Sequence, residues 1–269
     1  MKVLILPDAA AATERAAGIV AAFLASAAHP VLGLATGETM RPLYARLVAM
    51  WAAGQVDFAP VTTFNLDEYV GVPAHHPASF AAFMRANLFD HVAIDPARIN
   101  LLAGDAPDPD AEAARYEEAI TAAGGIGLQV LGIGRNGHVA FNEPTSSLAS
   151  RTRVKTLTEA TRRANAAAFA PDPVPRFAIT LGIGTILAAK RCLLIATGQS
   201  KADAVARMIE GPLGADCPAT ALQMHRQTTV VLDEEAASNL RLRDYYETVH
   251  PAGAEARLPY PLPRRGLVR

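Results

Sequence analysis

The stretch LQVLGIGRNGHVAFNEP, residues 128–144, begins as an apolar run and continues into G-x-G-x-x-G at Gly132, Gly134 and Gly137. A short apolar run that ends in a glycine turn reads as a buried strand. The turn also carries His138 and Glu143, so it is either a dinucleotide-binding turn or a loop that does chemistry itself. The dinucleotide reading needs a helix directly after the turn and an acidic residue about 20 positions on to hold a ribose. Here Pro144 and the serines after it interrupt any helical period, and the offset lands near Lys155 and Thr156. The second reading holds better: the glycines let the backbone turn sharply and approach a substrate, with His138 and Glu143 projecting into a cleft.

Outward from this stretch the pattern repeats. VLIL at 3–6, VLGL at 31–34, VTTF at 61–64, FAIT at 177–180, CLLIA at 192–196 and TVVL at 229–232 each read as buried strands. Between most of them lie Ala-rich segments of helical period, among them AAATERAAGIVAAFLASAA, MRPLYARLVAMWAAG, DPDAEAARYEEAITAAGG and QSKADAVARMIEG. Several start at Asp or Ser and stop at Gly, as capped helices do. Strands alternating with helices predict an α/β fold, a Rossmann-like three-layer arrangement of a parallel sheet with helices on both faces. Residues 1–250 read as one domain, and the Pro-rich 251–269 as a C-terminal tail.

With 25 Lys and Arg against 26 Asp and Glu, the net charge of −1 gives no electrostatic reason to expect nucleic acid or a membrane surface as partner. No stretch approaches the roughly 20 apolar residues that span a bilayer, so the chain reads as cytoplasmic. Cys192 and Cys217 lack C-x-x-C spacing and sit among apolar residues, as packed reduced thiols do, and no metal site is expected.

In open parallel sheets, ligands collect at the carboxyl edge. Four loops are expected there: ATGETM at 35–40, NLDEYVG at 65–71, GRNGHVAFNEP at 134–144 and TGQSK at 197–201. In NLDEYVG, neighbours on an extended segment point opposite ways, so one of Asp67 and Glu68 faces the cleft. Asp67 is taken as that residue, a partly buried base for a carbon-bound proton, while Glu68 is free to pair with a helix end. Thr36, Gly37, Glu38 and Thr39 lie at the positive end of the following helix, an anion site in type. Lys201 is placed to meet the same anion from the other side.

FNLDEYVG, HPASFAAFMRANLFDHV, INLLAGDAPDPDAEAARYEEAI and GIGRNGHVAFNEPTSSLASRTRVKTLT, in this order, resemble the glucosamine-6-phosphate deaminase family over about residues 30–235. The resemblance implies a Rossmann-like fold and a cofactor-free, metal-free conversion of glucosamine 6-phosphate and water to fructose 6-phosphate and ammonia. It further implies that Asp67 moves a proton between C2 and C1, that His138 assists ring opening, and that Glu143 orients and tunes that histidine. Asn136 stands where many members have an acidic residue, Gly134 and Gly137 would line the sugar, and the expected partner is a small amino-sugar phosphate. A homo-oligomer is compatible with this reading.

Two further positions depart from the family pattern. Ala167 stands where relatives carry an arginine for the phosphate, with Arg163 and Arg176 as candidate substitutes, and Glu38 stands in the phosphate loop, where Arg41 is placed to neutralise it. Alternatives therefore stay open at this level: galactosamine 6-phosphate or an unphosphorylated amino sugar as substrate, a 6-phosphogluconolactonase-like hydrolase, or a non-catalytic sugar-phosphate sensor.

Overall fold

The computed structural model describes residues 1–254. Seven strands form one sheet, in the order β1 (Lys2–Leu6), β10 (Thr228–Asp233), β9 (Cys192–Ala196), β6 (Leu128–Leu131), β2 (Val31–Leu34), β3 (Thr62–Asn65), β5 (Ile99–Asn100). Every pairing in it is parallel. All four residues of β2 and of β6, and all five of β9, are buried. Successive side chains on a strand point to opposite faces, so both faces of the sheet are covered, as the continuous apolar runs require.

The helices form where the sequence pattern places them. In α1 (Ala9–Ala25) the Asp8 carboxylate accepts from the Ala11 N–H at 2.7 Å, a cap of the kind that contributes about 1 kcal/mol. Its buried positions Ala12, Ala16, Ala17, Val20, Phe23 and Leu24 make one stripe, which packs on β1, β9 and β10 and on α2 (Met40–Ala52). The helix α4 (Pro109–Ala122) starts on an Asp108 cap with proline in its first turn, and ends before Gly124 and Gly125, both in the left-handed region. The remaining helices are α3 (Phe80–Asn87), α5 (Glu159–Phe169), α6 (Ile183–Leu187), α7 (Ala202–Glu210) and α8 (Arg243–Val249).

One expectation needs correction. FAIT is a strand, β8 (Phe177–Thr180), but it lies outside the parallel sheet, in a second sheet of order β4 (Asp67–Tyr69), β8, β7 (Arg153–Thr156) with antiparallel pairing. Its partners DEY and RVKT are short and charge-rich, and show none of the apolar runs that mark the main sheet. Pro251–Gly253, the first residues of the segment read as a tail, form a turn packed on β1, with Gly253 buried against Leu6. The rest of that segment, 255–269, lies outside the described residues. Among the described residues no helix is long and apolar enough to cross a membrane.

The winding of the main sheet locates the site. From β2 the chain adds β3 and β5 on one side, then returns to β6 on the other and continues to β9 and β10. The order reverses between β2 and β6, and a crevice opens at the carboxyl ends of strands at such a reversal.

Candidate active site

The loops that follow β9, β6, β2 and β3 rise from four neighbouring strands at this crevice. They are the four loops expected from sequence.

Asp67 enters from β3 after a bend at Leu66, where the chain leaves the main sheet for the small one. It is 7% exposed and pairs across the small sheet with Thr180. Among the described residues no hydrogen bond reaches its carboxylate, and burial, with the Glu68 charge beside it, pushes it up to about 8. Glu68 takes the other role. Its Oε1 accepts from the Tyr69 and Phe80 N–H groups and its Oε2 from Ala81 N–H, so it holds the first turn of α3. Burial raises Glu68 to about 6 against those hydrogen bonds.

The Thr180 hydroxyl opposite Asp67 accepts from Phe141 N–H at 3.1 Å, and Asn142 Nδ2 donates to Leu181 O at 2.7 Å. These bonds stitch the FNEP segment to the end of β8, where Thr180 pairs with Asp67. His138 Nδ1 faces Glu143 Oε2 at 3.6 Å. Asn136 Nδ2 donates to the same oxygen at 2.8 Å, and Asn136 Oδ1 accepts from the His138 backbone N–H at 3.1 Å. Asn136 thus fixes both members of the pair. Burial disfavours the Glu143 charge, but His138, Thr161 and Asn136 outweigh it and lower the carboxyl to about 2. The Glu143 carboxylate is therefore held charged, facing the imidazole.

Two glycines of this loop make room for neighbouring side chains. A Cβ on Gly134 would lie 2.3 Å from His138 Nε2, and one on Gly137, at φ +85°, would lie 2.4 Å from Cys217 Sγ. The conformation thus requires glycine at both positions, at the first for the imidazole and at the second for the segment packed beneath it. Gly134→Ala therefore leaves the fold intact but pushes the imidazole out of place. Turnover falls by at least ~100-fold, as a misplaced catalytic group demands. Circular dichroism unchanged from wild type, beside a kcat that has hardly moved, would show that this contact is not restrictive.

Thr39 stands at the head of α2 with its side chain uncommitted to capping, and Gly37 adopts φ +108°. Glu38 is turned to Arg41, whose Nε lies 2.9 Å from Oε1 and whose guanidinium is also held by Asn87 Oδ1 and the Phe83 ring. The expected neutralisation is present. Thr39 and Thr197 line one cavity of about 560 Å³, together with Thr13, Glu38 and Arg46, so the two anion loops share an opening. In TGQSK two backbone amides are already engaged. Gly198 N–H donates to Asp233, and Gln199 N–H to Glu235. Lys201 Nζ donates to Ile133 O at 2.7 Å, and its pKa is lowered by burial and by the charge of Arg135.

Ala167 is exposed on α5. Of its candidate substitutes, Arg163 pairs with Glu159 and Arg176 lies over the Phe177 ring. The sequence reading overlooked Arg135, between Gly134 and Asn136. It is exposed and, among the described residues, takes no hydrogen bond or ion pair. Its place inside a glycine turn at a strand end was the available signal. Thr158 and Thr161, both bonded to Glu143, were also overlooked, because in sequence they look like an ordinary helix start.

A family model for glucosamine-6-phosphate isomerases and 6-phosphogluconolactonases matches residues 8–231. The chain belongs to this family. Within it, the glucosamine-6-phosphate deaminase of Cellvibrio japonicus is 52% identical over 250 residues, 93% of this chain and 95% of the relative. That of Hahella chejuensis is 54% identical over 220 residues, 81% and 84% of the two chains. Among solved structures, a glucosamine-6-phosphate deaminase described as monomeric superposes with a TM-score of 0.87 at 43% identity, over 89% of this chain and all of that one. A 6-phosphogluconolactonase from Trypanosoma cruzi shares the fold, with a TM-score of 0.71 at 19% identity over 89% of this chain and 97% of that one.

Proposed function

We propose that this protein converts glucosamine 6-phosphate and water to fructose 6-phosphate and ammonia. The observation that carries the reading is Asp67, a buried carboxylate that takes no hydrogen bond among the described residues, on the loop after β3, with Glu143 and His138 on the loop after β6, at the reversal of the sheet. A lactone hydrolase needs an activated water and has no use for a carbon base. An aldose–ketose isomerisation needs one, with a pKa raised toward that of its weakly acidic carbon proton.

The sequence of events follows from the placement of the groups. His138 delivers a proton to the ring oxygen as the pyranose opens and the C1 hydroxyl gives up its own to water to become the aldehyde, with Glu143 facing the imidazole. Asp67 then removes the C2 proton and returns it at C1, passing through an enolamine. The C2 imine so formed adds water and expels ammonia, leaving the 2-ketose. The phosphate lies against the head of α2 and Lys201, with Arg135 adding a second positive charge. The reading places the protein in amino-sugar breakdown, among cytoplasmic enzymes.

The test is ammonia release by the purified protein from glucosamine 6-phosphate, beside glucosamine and galactosamine 6-phosphate. Release from the first at a kcat/KM well above the other two supports the proposal. Preference for galactosamine 6-phosphate or for the unphosphorylated sugar would replace the substrate, and silence on all three would remove the activity. For the phosphate site, Lys201→Ala raises KM for glucosamine 6-phosphate roughly 10- to 100-fold, the cost of one charge-assisted contact. The residual rate with unphosphorylated glucosamine stays unchanged. Equal losses on both sugars would instead assign Lys201 to holding the Ile133 loop.

A further inference from the structure

The segment after β10 holds the loop that carries Lys201. Asp233 closes β10, which lies beside β9, and is 4% exposed. Its Oδ1 accepts from Gly198 N–H at 3.0 Å and from Ala236 N–H at 2.8 Å, and its Oδ2 accepts from the same Gly198 N–H at 2.9 Å. One carboxylate thus ties the turn after β9 to the turn after β10. Further bonds run between the same two segments. Gln199 N–H donates to Glu235 Oε2 at 3.2 Å, Ser238 Oγ to Gln199 Oε1 at 3.2 Å, and Asn239 Nδ2 to Asp203 Oδ1 at 2.6 Å.

From Gly198 the path continues to Lys201. Gly198 O accepts from Lys201 N–H at 3.0 Å, and Gly198 itself stands at φ +85°, ψ 149°, where a side chain is strained. Lys201 in turn reaches across to Ile133 O, at the head of the glycine loop, with Nζ at 2.7 Å. An ammonium on a four-carbon stem is a flexible point charge, so its placement depends on the backbone that carries it. By charge alone, a carboxylate next to an anion-binding loop weakens the anion's hold. What Asp233 supplies against that repulsion is a fixed Gly198 amide.

We propose that Asp233 is a positioning residue for the phosphate site: by holding Gly198 it sets the start of the turn that carries Lys201, and thereby the affinity for a phosphate group. It acts through Lys201 and touches no substrate itself. The role rests on the reading of Lys201 given above, and on the proposed substrate only for its activity readout.

Isothermal calorimetry with inorganic phosphate measures the site without turnover, and kcat and KM are measured with glucosamine 6-phosphate, on wild type, Asp233→Ala, Lys201→Ala and the double variant. Asp233→Ala weakens phosphate binding and raises KM about tenfold with kcat held within about threefold, as expected for loss of binding common to ground and transition states. Charge alone predicts the opposite sign, because this variant removes a negative group. In the Lys201→Ala background Asp233→Ala changes phosphate binding by less than about twofold, since a residue that acts through another is not additive with it. Asp233→Asn keeps an oxygen that can accept from Gly198 and Ala236, and it stays within about threefold of wild type. Unchanged or tighter phosphate binding in Asp233→Ala, an equal loss with and without Lys201, or an asparagine variant as weak as the alanine one overturns the proposal. If Asp233→Ala does not fold, Gly198→Ala, which disturbs the same joint from its other side, must weaken phosphate binding likewise, and unchanged binding there overturns the proposal. Wild-type protein that bound phosphate but released no ammonia would refute the proposed substrate and leave this role standing. Wild-type protein that bound phosphate no better than Lys201→Ala would overturn the role itself.

Discussion

Asp67→Asn abolishes turnover, lowering kcat by about 10²–10⁴-fold with KM within about threefold, and at the same time makes the protein harder to unfold. Asparagine has nearly the shape of aspartate but cannot accept the C2 proton, so the loss falls on the chemical step. The stability gain follows from linkage. Asp67 ionises at about 8 in the folded protein, against an ordinary value of 3.8, because it is buried beside Glu68. Between those values the folded state keeps a proton that the unfolded state releases, so stability declines as pH rises through the window and the full penalty stands above pH 8. At pH 7 the ceiling is about 4 kcal/mol, and a quarter of that moves the melting temperature by roughly 2–4 °C. The measurement is the melting temperature of both proteins at pH 5 and pH 8.5. The variant's advantage grows with pH; an advantage independent of pH would mean that Asp67 carries no ionisation penalty, and a variant that kept most of its rate would not have lost the base.

The same titration shapes the activity of the wild type. A base that must be ionised makes kcat/KM fall as pH drops below about 8, and the bound amino sugar's cationic amine favours the carboxylate and carries activity to lower pH in the complex. The site is therefore built at a cost to stability, and that cost is what gives Asp67 a basicity useful against a carbon acid.

Much of this arrangement was legible in the sequence because it depends on short-range rules. Strand runs and capped Ala-rich helices fixed the α/β alternation, and period-two alternation separated Asp67 from Glu68 within a single dipeptide. The absence of a helix after Gly137 rejected a dinucleotide site, and i,i+3 spacing paired Glu38 with Arg41. What the sequence hid depends on partners far along the chain. FAIT looks like any buried strand until DEY and RVKT are seen beside it. The Gly198 amide looks free for an anion until Asp233, 35 residues on, is seen to occupy it. Gly134 reads as room for a ligand, whereas in the structure its missing side chain is room for His138. Thr161 reads as one more residue in a helix start, and nothing local says that its hydroxyl ends on Glu143.

Glu143→Gln is expected to be the mirror image of Asp67→Asn, losing activity and stability together. Burial disfavours the Glu143 charge, yet His138, Thr161 and Asn136 lower its pKa from 4.5 to about 2. A depressed carboxylate contributes stability that is fully present above the unfolded value and is lost as pH falls through the folded one. The contribution at neutral pH is roughly 3 kcal/mol, equivalent to about 6–12 °C in melting temperature. Glutamine preserves the volume but presents an NH₂ group to a cage made of donors, the Asn136 amide, the Thr161 hydroxyl and the Thr158 N–H. Whichever way the amide is turned, at least one buried donor is left unpaired, which costs about 1–3 kcal/mol. His138 also loses its counter-charge, and kcat falls roughly 10- to 100-fold. Melting curves between pH 2 and pH 7 separate this account from simple misfolding. The gap between wild type and variant is widest above pH 5 and narrows toward pH 2, where wild-type Glu143 takes up its own proton. A constant gap over that range would show that the carboxylate's charge contributes nothing to holding α5 and the catalytic loop together.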